Sequence, residues 1–192
     1  MLVLPDNQGK RALGFAVIGS SSQRSGSILN AAIGQFAVES TKRYQAIFDA
    51  TGRLKDTWCN IFAWDTSCSL DAEIPHWTNP DGSPAEPSWE PGHLQVERSA
   101  NGTQDWLAEF GAKYGWSLVS EAQDAQERAN AGFPTYATLK EPNGHGHIAP
   151  LIAVDAQAGV WIAQAGARNF ARGTLAAGFG KYVPQVLFFT HD

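Results

Sequence analysis

A chain of 192 residues with 43% hydrophobic and 17% charged side chains carries enough apolar material for one buried core and too little charge for a disordered polymer. A net charge of -5, a pI near 5.5 and the lack of any run of Lys and Arg exclude a phosphate-backbone binder, so no nucleic acid partner is expected. The longest apolar stretch near the start, residues 13–19, falls short of the roughly 20 residues that cross a bilayer, so a soluble protein without membrane insertion is expected.

Lys10 and Arg11 ahead of that stretch imitate a signal peptide, but the Ser-rich tract behind it offers no small-x-small cleavage site, so no cleaved signal is expected. Residues 1–26, mixed and rich in Gly and Ser, read as a loosely ordered N-terminal extension, and 27–192 as a single domain. The first periodic segment follows Ser27, with Ile28, Ala31, Ala32 and Phe36 on one helical face. Asp56 and Thr57 are capping residue types, and Ile61, Phe62, Ala63 and Trp64 behind them predict a buried helix starting close to Cys59. Across residues 74–92, Pro75, Pro80, Pro84, Pro87 and Pro91 predict a long irregular surface loop suited to wall a groove. A helix over 103–114 turns Trp106, Leu107 and Phe110 inward. A second opens on the capping box Ser120-Glu121-Ala122-Gln123 and closes near Gly132. Beyond Pro134 the pattern changes to β-type runs at 135–139, 147–154, 160–165 and 185–190. Helices first and an antiparallel sheet second make an α+β domain.

The two cysteines, Cys59 and Cys68, make neither a disulfide framework nor a zinc site, and on one helix they stand roughly 13 Å apart. A thiol reacts as thiolate, which a helix start and a nearby imidazolium both favour. Cys59 has the first by position, although a lone cysteine is commonly a small buried hydrophobe. Of the five histidines, His76 and His93 fall in the proline-rich loop and His191 is penultimate, where rigid aim is hard to secure. His147 opens a strand behind Asn143-Gly144-His145-Gly146, so glycines give access while the strand directs the imidazole; His145 is its rival. A cysteine at a helix start and a histidine on a later strand suit nucleophilic catalysis, with a third polar side chain orienting the imidazole.

Thr57-Trp58-Cys59-Asn60-Ile61-Phe62-Ala63-Trp64 resembles the nucleophile helix of CHAP and NlpC-type peptidoglycan hydrolases, and Gly146-His147-Ile148-Ala149 resembles the start of their histidine strand. Trp58 and Asn60 beside the cysteine are closer to the CHAP style than to the Asp-Cys-Ser-Gly of NlpC-type enzymes. The resemblance implies a papain-like fold, N-terminal helices packed on an antiparallel sheet. It also implies a cysteine hydrolase that cleaves amide bonds in the peptide part of bacterial peptidoglycan, as endopeptidase or N-acetylmuramoyl-L-alanine amidase.

In that pattern Cys59 is the nucleophile, His147 the base and Gln164, on the strand after the histidine, the third member, with Asn169 as fallback. A simple hairpin turning at Gln157-Ala158 sets His147 nearer Arg168, so contact with Gln164 calls for a bulge or strand curvature at Pro150. The backbone N–H of Cys59 is the first oxyanion donor. Tyr44, Asn60, Trp77 and His145 are the candidate substrate-binding side chains, Tyr44 being equally a half-buried core residue. No metal and no cofactor are implied; the expected protein is a monomer acting on the bacterial cell wall as phage lysin, toxin or remodelling enzyme. Two other readings stand beside this one: a non-catalytic glycopeptide-binding module using the Trp-rich loop, and a cysteine peptidase acting on proteins.

Overall fold

The computed structural model describes residues 15–88, 92–142, 144–155 and 158–192. Residues 1–14 of the expected extension, together with Pro91, Asn143 and Gln157, lie outside them. The rest of that extension is not loose. Phe15 packs against Phe36 with ring centroids 5.6 Å apart, the Ile18 N–H donates to the Ser69 carbonyl at 2.8 Å, and Ala16 exchanges two hydrogen bonds with the Gln35 amide. Two large apolar side chains here find a core to join, which a Gly/Ser count does not register.

Helix α1 (Gly26–Gly34) starts where the Ser25 hydroxyl accepts the Ile28 N–H at 3.2 Å. Its buried stripe runs through Leu29, Ala32 and Ile33 and on to Phe36. Ala31 is exposed, so the face expected from Ile28 and Ala31 is turned by about one residue, because the bulkier Leu29 and Ile33 fill the space against the core. A short hairpin follows, β1 (Ile47–Phe48) with β2 (Leu54–Asp56), and then α2 (Cys59–Ser69), buried along almost its whole length. Its N-cap is Trp58 and no side chain caps it. Asp56 is spent instead in β2 opposite Ile47, which corrects the expected capping role of Asp56 and Thr57.

The proline-rich segment is less irregular than its composition predicts. Strands β3 (Trp77–Thr78) and β4 (Val96–Glu97) pair antiparallel, and residues 74–78 are buried rather than on the surface. The segment is pinned from below: the Trp106 indole donates to the Gly82 carbonyl at 2.7 Å, and Gly82 lies with φ +81° against the Phe110 ring, where no Cβ fits. Helix α3 (Ala100–Glu109), capped by Ser99, buries Trp106 and Leu107 and runs into a 3-10 turn at Gly111–Tyr114. Strand β5 (Trp116–Val119) occupies the gap where only a connection between helices was expected. Helix α4 (Ala122–Asn130) has Glu121 as its N-cap and no capping box, since the Gln123 amide reaches forward to Glu127 at 3.0 Å.

The remaining strands are β6 (Thr135–Leu139), β7 (His147–Pro150), β8 (Trp161–Gln164), β9 (Phe170–Thr174) and β10 (Leu187–His191), with the short α5 (Leu175–Phe179) after β9. An antiparallel sheet runs in the order β5-β10-β6-β7, and β8 and β9 form a hairpin beside it. A bridge between Leu151 and Ile162 and a 2.9 Å bond from the Ile152 N–H to the Trp161 carbonyl join that hairpin to β7. The fold is α+β. Helix α2 lies between two parts of the core: Phe62 belongs to the part that holds Ala149 and Leu151, and Cys59 and Ala63 to the part that holds Ile148.

Gly132 closes α4 at φ +94°, and a Cβ there would collide with the backbone of Ser25, the residue that caps α1. Gly132→Ala therefore strains two helix ends at once and is expected to destabilise the protein by more than about 2 kcal/mol. The urea unfolding midpoint measures this, and an unchanged midpoint would contradict the packing described.

Candidate active site

The chain enters α2 at Cys59, which is only 3% exposed, and in the first turn its N–H has no intrahelical acceptor. The positive end of the helix therefore sits at the thiol. His147 is delivered by β7, paired with Leu139 of β6. The loop before it is held from α3: Asn101 Nδ2 donates to the carbonyls of Glu141 (2.8 Å) and Gly144 (3.3 Å), and its Oδ1 accepts the Glu141 N–H at 3.0 Å. Gly146 passes so close to this amide that a Cβ would overlap Asn101 Oδ1. Glycine is needed here for close approach, which is a reason for the Gly-His pair beyond access.

The imidazole of His147 is partly buried, its ring 4.8 Å from that of Phe179 in α5. Its Nε2 lies 2.8 Å from Gln164 Oε1. The Gln164 amide has no choice of orientation, because its Nε2 donates to the Arg168 carbonyl at 2.8 Å. Oε1 must accept, so His147 Nε2 carries the proton and Nδ1 is left to face Cys59. The bridge of Leu151 to Ile162 sets Gly166, not Arg168, opposite His147, and Gln164 is then the diagonal neighbour within side-chain reach. No bend at Pro150 is required; the irregularity falls on the other side of β8, between Ile162 and Gln164 against β9. Asn169 is elsewhere. Its Oδ1 accepts the Gly166 N–H and its Nδ2 donates to the Val38 and Tyr44 carbonyls, a clamp between two loops.

Burial pushes the Cys59 thiol up, but the hydrogen bond and charge of His147, with the N–H groups of Ile148 and Asn60, outweigh it and hold the thiol below its ordinary value. Burial pushes His147 down, and the hydrogen bond and charge of Cys59, helped by Gln164, carry it above its ordinary value. The two shifts have one cause, a thiolate and an imidazolium that stabilise each other.

Cys59 opens onto a cleft of about 360 Å³ between the β1–β2 hairpin and the start of α3. Asn60 and the exposed His145 line it. Trp77 does not. It is 4% exposed and packed in the core beside His76, so the substrate-binding role expected of Trp77 is not available to it. Tyr44 is also buried, its hydroxyl donating to Asp65 Oδ2 at 2.7 Å, so its position is that of a core residue. His76, discounted for its place in the proline-rich loop, lines the cleft and is held there, 3% exposed and bonded to Glu97; Glu97, Arg98 and Asn101 line it without having stood out in the sequence. These three follow the proline-rich tract, where spacing says nothing about direction. Cys68 sits in the same helix, is not disulfide-linked to Cys59, and does not line the cleft. Among the described residues, no three His, Cys, Asp or Glu side chains gather closely enough to hold a metal ion, and no helix is long and apolar enough to cross a membrane. Neither a protein-family model nor a curated protein matches the chain.

In a Cys68→Ala background, alkylation of Cys59 by iodoacetamide should titrate with a midpoint below that of an ordinary thiol. His147→Ala removes the larger part of the downward pull and leaves burial opposed only by the N–H groups of Ile148 and Asn60, so the midpoint should rise. A midpoint that stays in place would show that the two groups are not coupled.

Proposed function

We propose that this protein is a papain-like cysteine hydrolase that cleaves amide bonds in the peptide part of bacterial peptidoglycan, as endopeptidase or N-acetylmuramoyl-L-alanine amidase. The observation that carries the reading is a continuous chain of contacts from the Arg168 carbonyl through Gln164 and His147 to Cys59, ending at an open cleft. A binding module has no use for a thiol held below its ordinary value. The wall peptide as substrate comes from the likeness of residues 57–64 and 146–149 to CHAP and NlpC-type hydrolases.

In this mechanism the Cys59 thiolate attacks the amide carbonyl and forms a C–S bond, and the oxyanion accepts the Cys59 N–H at the helix start. His147 Nδ1 gives its proton to the leaving amine as the C–N bond breaks. Water then loses a proton to Nδ1 and attacks the thioester, releasing the acid and regenerating the thiolate and imidazolium. Gln164 holds the ring through Nε2 in every step. Being neutral, it fixes the tautomer without neutralising the imidazolium, as a carboxylate would. The site of action is the bacterial cell wall, and none of this chemistry requires a cofactor.

Incubation of the protein with purified peptidoglycan should release fragments bearing new amines, identified by mass spectrometry at a stem peptide or at the sugar–peptide junction. Cys59→Ala should release none, and Cys68→Ala should retain most of the activity. No new amines with folded wild-type protein would overturn the proposal. Gln164→Ala should lower kcat by about 10-fold to 100-fold and change KM less, since orientation of the base acts on the chemical step. Steady-state kinetics on a defined wall peptide measure this, and unchanged kcat would remove Gln164 from the mechanism.

A further inference from the structure

We infer that Arg98 selects the substrate, by pairing with a free carboxylate on the peptide beside the bond that Cys59 attacks. The inference rests on the hydrolase reading above for the word substrate, and on the cleft itself for the carboxylate. Arg98 lines the same cleft as Cys59 and is partly buried. Its backbone is fixed on both sides: its N–H donates to the His76 carbonyl at 2.7 Å, and its carbonyl accepts Asn60 Nδ2 at 2.9 Å. Asn60 is the neighbour of Cys59, so one hydrogen bond ties the arginine to the start of the nucleophile helix.

The side chain is fixed as well. Arg98 Nε donates to Thr78 Oγ1 at 2.9 Å, and Thr78 is fully buried. The acid beside it makes no ion pair with it; the Glu97 carboxylate accepts from His76 Nε2 at 2.9 Å instead. Among the described residues no carboxylate pairs with Arg98, which leaves its two terminal nitrogens for a ligand. A guanidinium anchored through Nε presents a planar fork that matches a carboxylate and not a neutral amide. The other cation of the cleft, Lys55, is exposed on the opposite wall, where a hydrated, mobile ammonium discriminates little.

Wall peptides offer such a carboxylate in two places, the α-carboxylate of a γ-linked glutamyl residue and the C-terminal carboxylate. The test uses full-length Cys59→Ala protein and three synthetic stem peptides: both carboxylates free, the glutamyl α-carboxylate amidated, or the C-terminus amidated. Titration calorimetry should show one of the two amidations weakening binding by about 10-fold to 100-fold, the size of a charge-assisted pair. That amidation identifies the source. Adding Arg98→Gln should bring the ratio to about one by weakening only the free-acid peptide. Arg98→Lys, which keeps the charge without the fork, should lose most of the discrimination and serves if the Gln variant does not fold. Equal binding of all three peptides, no binding, persistence of the preference without Arg98, or its loss on Lys55→Gln alone would each overturn the inference. Because the titration needs no turnover, wild-type protein that binds with this preference but cleaves nothing would defeat the hydrolase reading and leave the arginine's role standing.

Discussion

His147 donates its Nε2 proton to Gln164 Oε1 over 2.8 Å, and that bond has its direction because Gln164 is turned by its own donation to the Arg168 carbonyl. A neutral amide could otherwise rotate and offer an N–H to the ring, which would put the histidine proton on the wrong nitrogen. Everything downstream follows from this constraint: Nδ1 faces the thiol, and the hydrogen bond and charge of His147 hold the thiol below its ordinary value in spite of burial. The surroundings leave the amide little room to leave its place. A Cβ at Gly178 would lie 2.6 Å from Gln164 Oε1, and one at Gly166 would lie 3.3 Å from Gln164 Nε2. Two glycines thus allow backbone to close over the amide from both sides.

Cys59 is buried because the helix that carries it runs through the core, and the fold meets the cost of polar groups there in pairs. Cys59 and His147 are one pair. Six residues further along α2, Asp65 receives Arg43 Nε at 2.6 Å, Arg43 Nη2 at 3.1 Å and the Tyr44 hydroxyl at 2.7 Å, all away from water. Removing Arg43 would take from Asp65 the cation that supplies two of these hydrogen bonds, and is expected to cost stability. This second cluster ties residues 43–44 to α2, and Asn169 ties Tyr44 to the loop behind Gln164. The two loops that frame the histidine side of the site are therefore braced against each other.

Much of this architecture was legible where local chemistry is self-sufficient. A run of apolar residues behind Cys59 implied a buried helix, short β-type runs after Pro134 implied the strands, and glycines around His145 implied a loop leading into the strand of His147. Capping was misread at Asp56 and Ser120 because a residue already committed to a strand or its end has no freedom to turn back onto a helix. Strands β5 and β9 were missed for a related reason. β5 is only four residues long with two of its side chains exposed, and β9 reads Phe-Ala-Arg-Gly-Thr, so each takes its identity from the neighbour it pairs with. The cleft residues were the least legible, since Arg98, Glu97 and His76 meet only when β3 and β4 pair across the proline-rich segment. Trp77 shows the converse: composition marked it as a groove aromatic, while pairing in β3 turned it into the core.

The central claim is that Cys59 becomes covalently attached to the acyl half of its substrate. Acid quenching of the protein during turnover of a wall stem peptide, followed by intact-protein and peptide mass spectrometry, tests this directly. The account predicts a mass increase equal to the acyl fragment, located on Cys59, absent in Cys59→Ala and lost as the product acid accumulates. Release of cleaved fragments with no adduct on Cys59 at any time point would contradict it.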